Sequence, residues 1–122
     1  MTDDISAARP ADPTGPSAWL SMPDLVDVLG ESLGRVRRLV DEHYLIGSRR
    51  DGAFKVPADF IVDGHPLPAL RGTIIALQDA GFTDDEVIDW LFAVEESIGR
   101  SPLEALLEGR KSEVRRVART LA

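Results

Sequence analysis

The sequence predicts a mainly α-helical protein with one small β-hairpin, and three observations lead to that fold class. Two short segments near the N-terminus each carry an apolar stripe at helical spacing, and a glycine-bearing turn separates them. An Asp51-Gly52 pair then follows between two strand-like flanks. Beyond residue 62 the signals are those of helices alone. Together these features predict a winged helix-turn-helix with a hairpin wing, followed by a C-terminal helical region.

The chain divides into three predicted parts, which are residues 1–17, 18–62 and 63–122. The first part contains three prolines and three aspartates but almost no large apolar side chain. Such a segment cannot bury enough surface to order itself, so we expect a disordered tail. The second part is the predicted winged helix-turn-helix, and the third is the helical region.

The two helices of the helix-turn-helix have clear start and stop signals. Ser21 and Asp24 form a capping-box pair, Gly30 supplies the stop, and Ser32 can cap the second helix. The side chains expected to be buried are Leu25, Val28 and Leu29 in the first helix, and Leu33, Val36, Leu39 and Val40 in the second.

The segment after the second helix reads as a hairpin. Asp51-Gly52 favours a two-residue turn because both turn positions need φ > 0. Arg49 and Arg50 would lie at its tip, and Pro57 would end the second strand because proline cannot donate to the ladder.

The C-terminal region carries signals for further helices. The residues predicted at helix starts are Pro68, Thr83 with Glu86, Ser101 with Glu104, and Ser112. Gly81 and Gly109 are predicted stops. The predicted inward side chains are Leu70, Ile74, Leu77, Val87, Ile88, Leu91, Val94, Val114, Val117 and Leu121, with Arg115, Arg116 and Arg119 outward.

Charge is distributed unevenly along the chain. The net charge of −7 argues against a protein that coats nucleic acid without selectivity. Residues 31–56 nevertheless carry six bases against four acids, whereas residues 57–122 carry seven bases against twelve acids. The bases are therefore dense on the predicted second helix and hairpin, the two elements with which a winged helix contacts DNA.

These bases predict binding to double-stranded DNA, with the second helix in the major groove and the wing on the backbone. The arginine fork suits guanine edges and phosphates alike, because it binds both in a bidentate manner. Solubilising charges on a solvated face are the alternative. The predicted contact residues are Ser32, Arg35, Arg37, Arg38, Arg49, Arg50 and Lys55.

The stretch from Trp19 to Ile61, WLSMPDLVDVLGESLGRVRRLVDEHYLIGSRRDGAFKVPADFI, resembles the excisionase and MerR type of winged helix. Over its whole length the chain also resembles a family of small actinobacterial winged-helix DNA-binding proteins, which implies a transcriptional regulator. In that family a Ser/Thr kinase acts on the N-terminal tail, which implies Thr2 and Thr14 as phosphoacceptors here. The acids in Asp41-Glu42-His43-Tyr44 depart from the excisionase pattern, close to where phosphate would lie.

The residues Trp90, Leu91, Pro102, Leu103, Leu106, Leu107 and Gly109 follow a pattern that resembles the toxin-binding region of Xre/MbcA/ParS-type antitoxins. The resemblance implies a protein partner at Trp90, Leu103, Leu106 and Leu107, and a homodimer interface at the same residues is an alternative. An antitoxin-like interaction module is therefore the alternative function, and a helical core that packs on the winged helix is the alternative role of these residues.

Composition argues against several other classes of protein. The chain has no cysteine and two histidines, so we expect no disulfide, no metal site and no cofactor. No nucleophile–base pattern or phosphate-binding glycine motif is evident, so we expect no enzyme. Neither a secretory signal nor a membrane-spanning run is present, and we expect a cytoplasmic protein.

Overall fold

The computed structural model describes residues 15–121, and the predicted fold class is confirmed. The predicted phosphoacceptors Thr2 and Thr14 lie outside the described residues. The helices are α1 (Met22–Leu29), α2 (Leu33–Asp41), α3 (Leu70–Asp79), α4 (Asp84–Phe92), α5 (Pro102–Leu107) and α6 (Lys111–Arg119). The strands are β1 (Trp19–Ser21), β2 (Ser48–Arg50), β3 (Ala53–Pro57), β4 (Ile61–Val62) and β5 (His65–Pro66), with a 3-10 turn at Ala58–Phe60.

The helix-turn-helix begins and ends where its capping residues predict. At the start of α1, the Asp24 amide donates to the Ser21 hydroxyl over 3.2 Å, and the Ser21 amide donates to the Asp24 carboxylate over 3.0 Å. Gly30 ends α1 at φ 66°, a left-handed conformation that glycine adopts without strain. Two residues later the Ser32 hydroxyl accepts from the Arg35 amide and caps α2.

The end of α2 uses a left-handed residue that is not glycine. His43 has φ 68°, and its amide donates to the Val40 carbonyl over 3.1 Å. The Tyr44 amide reaches back to the Leu39 carbonyl over 2.9 Å, which completes a Schellman-type cap. This cap turns the chain sharply away from the acidic end of α2.

The predicted hairpin is present, and a third strand that the sequence analysis missed joins it. Asp51 and Gly52 form the turn with φ 54° and 80°, as the hairpin requires. The sheet order is β1-β3-β2, with Trp19 opposite Pro57 and Arg50 opposite Ala53. A three-residue strand has too few residues to show alternation, so β1 is recognisable only by its pairing with β3.

One hydrophobic core joins the two halves of the molecule. Phe60 is fully buried, and its ring centroid lies 5.6 Å from that of Phe92 in α4. α3 packs against both α4 and α6, while Leu25 of α1 and Val36 of α2 belong to the same cluster. The winged helix therefore rests on the C-terminal helices as one packed unit.

Several apolar side chains that were predicted to be buried are exposed. Val94 is 65% exposed because α4 ends at Phe92, and Leu33 is 41% exposed because it occupies the first position of α2. Val28 and Leu121 are also exposed, each near the end of a short helix. Helical periodicity identifies a stripe but does not show where along the helix the neighbouring elements stop covering it.

The prediction that Arg115 points outward is wrong. Its side chain lies across α3 at Gly72, where a Cβ would overlap the guanidinium group. Arg116 and Arg119 are exposed as predicted. A second difference concerns the start of α3, which lies at Leu70 after the left-handed Ala69 (φ 69°) rather than at Pro68.

Candidate nucleic-acid interface

The exposed face of α2 is cationic. Arg35, Arg37 and Arg38 are all exposed, while Val36 and Leu39 on the opposite side are buried. Because successive helical residues are about 100° apart, Arg38 lies between the other two arginines around the helix. The three guanidinium groups therefore spread over one broad face.

Within the part of the chain that the structure describes, these arginines have no ion-pair partner. Among residues 15–121, no carboxylate lies within 4.0 Å of Arg35, Arg37 or Arg38. Ser32, the fourth predicted contact on this helix, is exposed at its N-terminus and accepts the capping hydrogen bond. Its hydroxyl proton stays available for donation.

The wing arginines are separated by strand alternation. Arg49 and Arg50 are neighbours in β2, so their side chains leave opposite faces of the sheet. Arg50 extends over the outer face, and its guanidinium carbon lies 4.4 Å from the centre of the Trp19 ring. Arg49 instead lines a cleft with Asp84 and Asp85 at the start of α4. Both are predicted at the hairpin tip, but the structure brings only Arg50 together with the outer sheet face.

Lys55 lies on that outer face between two carboxylates. Its ammonium is 4.0 Å from the Asp51 carboxylate. It also contributes to lowering the pKa of Asp24, which is held below 3.8 mainly by the hydrogen bond from the Ser21 amide. Lys55 thus supports the hairpin turn and α1 in addition to its predicted role.

A further arginine belongs to this surface, and the sequence analysis missed it. The Nε of Arg71, in the first turn of α3, donates to the Glu42 carbonyl at the end of α2 over 2.8 Å. The same guanidinium lies 5.2 Å from the Tyr44 ring centre, and Arg71 and Arg35 line one groove. Arg71 is 29 residues from Glu42 in sequence, so no local pattern links them.

The four residues predicted to form a partner or dimer interface do not form one surface. Leu103 and Leu106 are buried in the core of the chain, and Trp90 is half-buried. Leu107 is 52% exposed. Of the four residues, Leu107 is therefore the one with the most exposed side chain.

The same region contains an ion-paired corner between α5 and α6. Glu108 pairs with Arg100 and Arg110, and Arg110 also pairs with Glu113 at 2.5 Å. The hydrogen bond to Glu113 raises the pKa of Arg110 above its ordinary value. At the start of α5, the hydrogen bond from the Ser101 amide lowers the pKa of Glu104. These acids are committed to internal partners.

Among residues 15–121 no helix is long and apolar enough to cross a bilayer. The fold instead defines a winged helix-turn-helix protein with an appended helical region, and its second helix presents a cationic face.

Comparison with known proteins identifies the family. Two family models match the chain, the wHTH domain of DNA-binding protein Rv2175c over residues 12–61 and the Rv2175c C-terminal domain of unknown function over residues 67–122. The chain belongs to this actinobacterial winged-helix family.

A curated relative and a solved structure agree with that assignment. DNA-binding protein Rv2175c of Mycobacterium tuberculosis is 30% identical over 88 residues, which cover 71% of this chain and 59% of the relative. The match thus spans about three fifths of the relative's length. The NMR structure of Rv2175c superposes with a TM-score of 0.78 at 26% identity, over 94% of this chain and 86% of that one.

Proposed function

We propose that this protein binds double-stranded DNA, with α2 in the major groove and the wing on the neighbouring backbone. The observation that carries the proposal is the face of α2, where three exposed arginines have no carboxylate within 4.0 Å among the described residues. Unpaired arginines on a helix of this fold match the charge and the edges that the major groove presents.

Gly34 gives independent support for close approach to a partner surface. It lies one turn before Arg37 and Arg38 on the exposed side of α2. Replacing a glycine by alanine, where alanine can adopt the same backbone conformation, stabilises a protein by about 0.4–1 kcal/mol. The fold does not require the glycine, because Gly34 has no positive φ and a Cβ there would meet no atom within 4 Å. A helix backbone that must lie close to DNA gives a reason for the missing side chain.

The relative's name describes a DNA-binding protein, which supports the same function for this chain. The biological role that we propose is transcriptional regulation by a cytoplasmic protein without enzymatic activity. A regulator of this type recognises particular DNA sequences. Contacts from α2 to the bases should therefore determine which sequence is bound, and contacts to phosphates should fix the position of the protein on the duplex.

Fluorescence anisotropy with labelled duplexes tests the proposal. Arg38→Ala should weaken binding to a selected duplex by about 1–3 kcal/mol, that is about 5- to 150-fold, and should reduce preference over mixed sequence. Arg100→Ala is the matched control, because Arg100 is exposed and paired with Glu108. If wild type binds no duplex at low salt, or if Arg38→Ala matches Arg100→Ala, the proposal fails.

Three further proposals concern partners. A two-fold homodimer would align two copies of α2 with paired half-sites, and sedimentation with and without DNA tests it.

A Ser/Thr kinase acting on Thr2 or Thr14 would add negative charge and weaken DNA binding, and Thr→Glu variants at these positions test this effect. An antitoxin-like protein partner would dock over Leu107 and Trp90. The Leu107→Asp variant should then lose binding of that partner but keep DNA binding.

A further inference from the structure

A second cationic surface lies on α6, in the region whose family description gives no function. Its members are Lys111, Arg115, Arg116 and Arg119, and all except the half-buried Arg115 are exposed. Together they line a cleft along the helix. This set is called the α6 basic surface.

The acids near α6 do not neutralise this surface. Glu113, the one acid within α6, pairs with Arg110, and Glu108 pairs with Arg100 and Arg110. Asp79 lines a neighbouring cleft with Arg115 and Arg119, but no ion pair within 4.0 Å joins it to them. Among residues 15–121, the four bases thus lack a carboxylate partner although the region is acidic overall.

Arg115 is the half-buried member of the α6 basic surface. Its guanidinium lies against Gly72 of α3, a position where any larger residue would collide with it. Its Nε is enclosed without a hydrogen-bond partner among the described residues. An enclosed N–H group without a protein partner can be satisfied by a ligand or by water.

The α6 basic surface and the cationic surface of the winged helix both border α3. Arg35 of α2 and Arg71 of α3 line one groove. Gly72, the next residue of α3, contacts Arg115. Arg115 and Arg119 then line a common cleft on α6. The two cationic surfaces therefore meet α3 at adjacent residues, Arg71 and Gly72.

We infer that the α6 basic surface binds backbone phosphates of the DNA that α2 contacts. Arginine and lysine without carboxylate partners are the groups that neutralise phosphates, and such contacts position a protein without reading sequence. The inference rests on the proposed function, and it assigns the C-terminal region a share of the DNA contact. The groups on α6 would add affinity and salt dependence, whereas α2 would supply sequence preference.

The salt dependence of binding distinguishes this role from a solvated charged face. The slope of log K against log salt is negative, and each lost phosphate contact makes it shallower by about 0.9. Arg116→Gln and Arg119→Gln should each make the slope shallower by about that amount. Each variant should lose as much affinity for a selected duplex as for mixed-sequence duplexes. Arg100→Gln is the control, because it removes one equal charge that is already paired with Glu108.

Gly72→Ala is a test that keeps every charge. The new Cβ would displace the Arg115 guanidinium. The slope of log K against log salt should therefore become shallower although the net charge of the protein stays unchanged. Circular dichroism and thermal melts confirm folding of each variant. If the Arg116→Gln and Arg119→Gln variants show the same slope as Arg100→Gln, the inference is overturned. Binding of DNA by the wild type would in that case still uphold the proposed function. Failure of wild type to bind any duplex would overturn both.

Discussion

Two segments of the chain have nearly the same sequence but different surroundings. Val36-Arg37-Arg38-Leu39-Val40 lies in α2, and Val114-Arg115-Arg116-Val117-Ala118 lies in α6. In both helices the first valine is buried and the second arginine is exposed. The first arginine differs, because Arg37 is exposed whereas Arg115 lies half-buried across Gly72.

The difference comes from the neighbouring helix and not from the segment itself. α6 packs directly on α3, and the glycine in α3 leaves room for a guanidinium against its backbone. α2 contacts α1 on its apolar side and leaves the flank with Arg37 uncovered. The same local pattern therefore yields a freely exposed charge in one helix and a positioned charge in the other.

The largest expected effect tests whether the two regions are one folding unit. Phe60→Ala should lower the free energy of unfolding by about 3–5 kcal/mol, because it opens a cavity against Phe92 where the two regions meet. Trp19 in β1 and Trp90 in α4 report on each region separately when the other is changed to phenylalanine. Both reporters should show one shared urea transition.

Phe60→Leu serves as the milder variant if Phe60→Ala does not fold. A shift of the Trp19 transition without a matching shift of the Trp90 transition would mean that the winged helix and the C-terminal helices unfold independently. The shared-core interpretation would then be wrong.

An intermediate effect sharpens the comparison of α2 with α6 through their glycines. Gly34→Ala should raise the free energy of unfolding by about 0.4–1 kcal/mol, because alanine favours the helix and no atom lies within 4 Å of the new Cβ. Gly72→Ala should raise the free energy of unfolding by less than Gly34→Ala does, because the Arg115 guanidinium must move. Urea denaturation measures both changes.

The same Gly34→Ala variant should bind DNA more weakly than wild type although it is more stable. A methyl group on the face that approaches the major groove keeps the helix backbone farther from the bases. Unchanged affinity in anisotropy titrations would remove Gly34 from the interface while leaving the stability prediction intact.

The smallest expected effect is a pH dependence that both regions share. Hydrogen bonds from the Ser21 and Ser101 amides lower the pKa values of Asp24 and Glu104 below their ordinary 3.8 and 4.5. The stability that these carboxylates add is therefore complete above those ordinary values, and it disappears as pH falls through the lowered pKa values. Both groups are exposed, so the contribution is small.

Asp24→Asn and Glu104→Gln test this dependence, because neither replacement titrates. Each variant should be less stable than wild type near pH 7. The difference should shrink once pH falls below the ordinary pKa of the replaced group, and it should vanish below the lowered pKa. Urea midpoints at several pH values measure it. A difference that stays constant down to pH 2 would mean that the capping carboxylates do not couple to folding.

Local sequence predicted most of the element boundaries. The capping residues Ser21, Ser32, Thr83 and Ser101 each accept the expected hydrogen bond, because a side-chain oxygen three residues before an amide needs only local geometry. The Asp51-Gly52 turn follows for the same reason. Strand β1 was missed because its identity depends on β3, more than thirty residues away.

The candidate site was predicted less completely. The exposed arginines of α2 followed from helical periodicity, which needs no knowledge of neighbours. Strand alternation alone is enough to predict that Arg49 and Arg50 leave opposite faces of the sheet, although both were predicted together at the hairpin tip. Leu103 and Leu106 were predicted at a partner surface, and their burial depends on how α5 packs against α4 and α6.

The sequence by itself determined the helices, the hairpin and the concentration of bases around α2, because caps, turns and periodicity act over a few residues. Only the tertiary structure decided which charges are exposed, paired or positioned. It placed Arg71 beside the end of α2 and Arg115 across Gly72, each through contacts between residues far apart in the chain. Such contacts depend on the volume left between packed helices, and no local pattern records that volume.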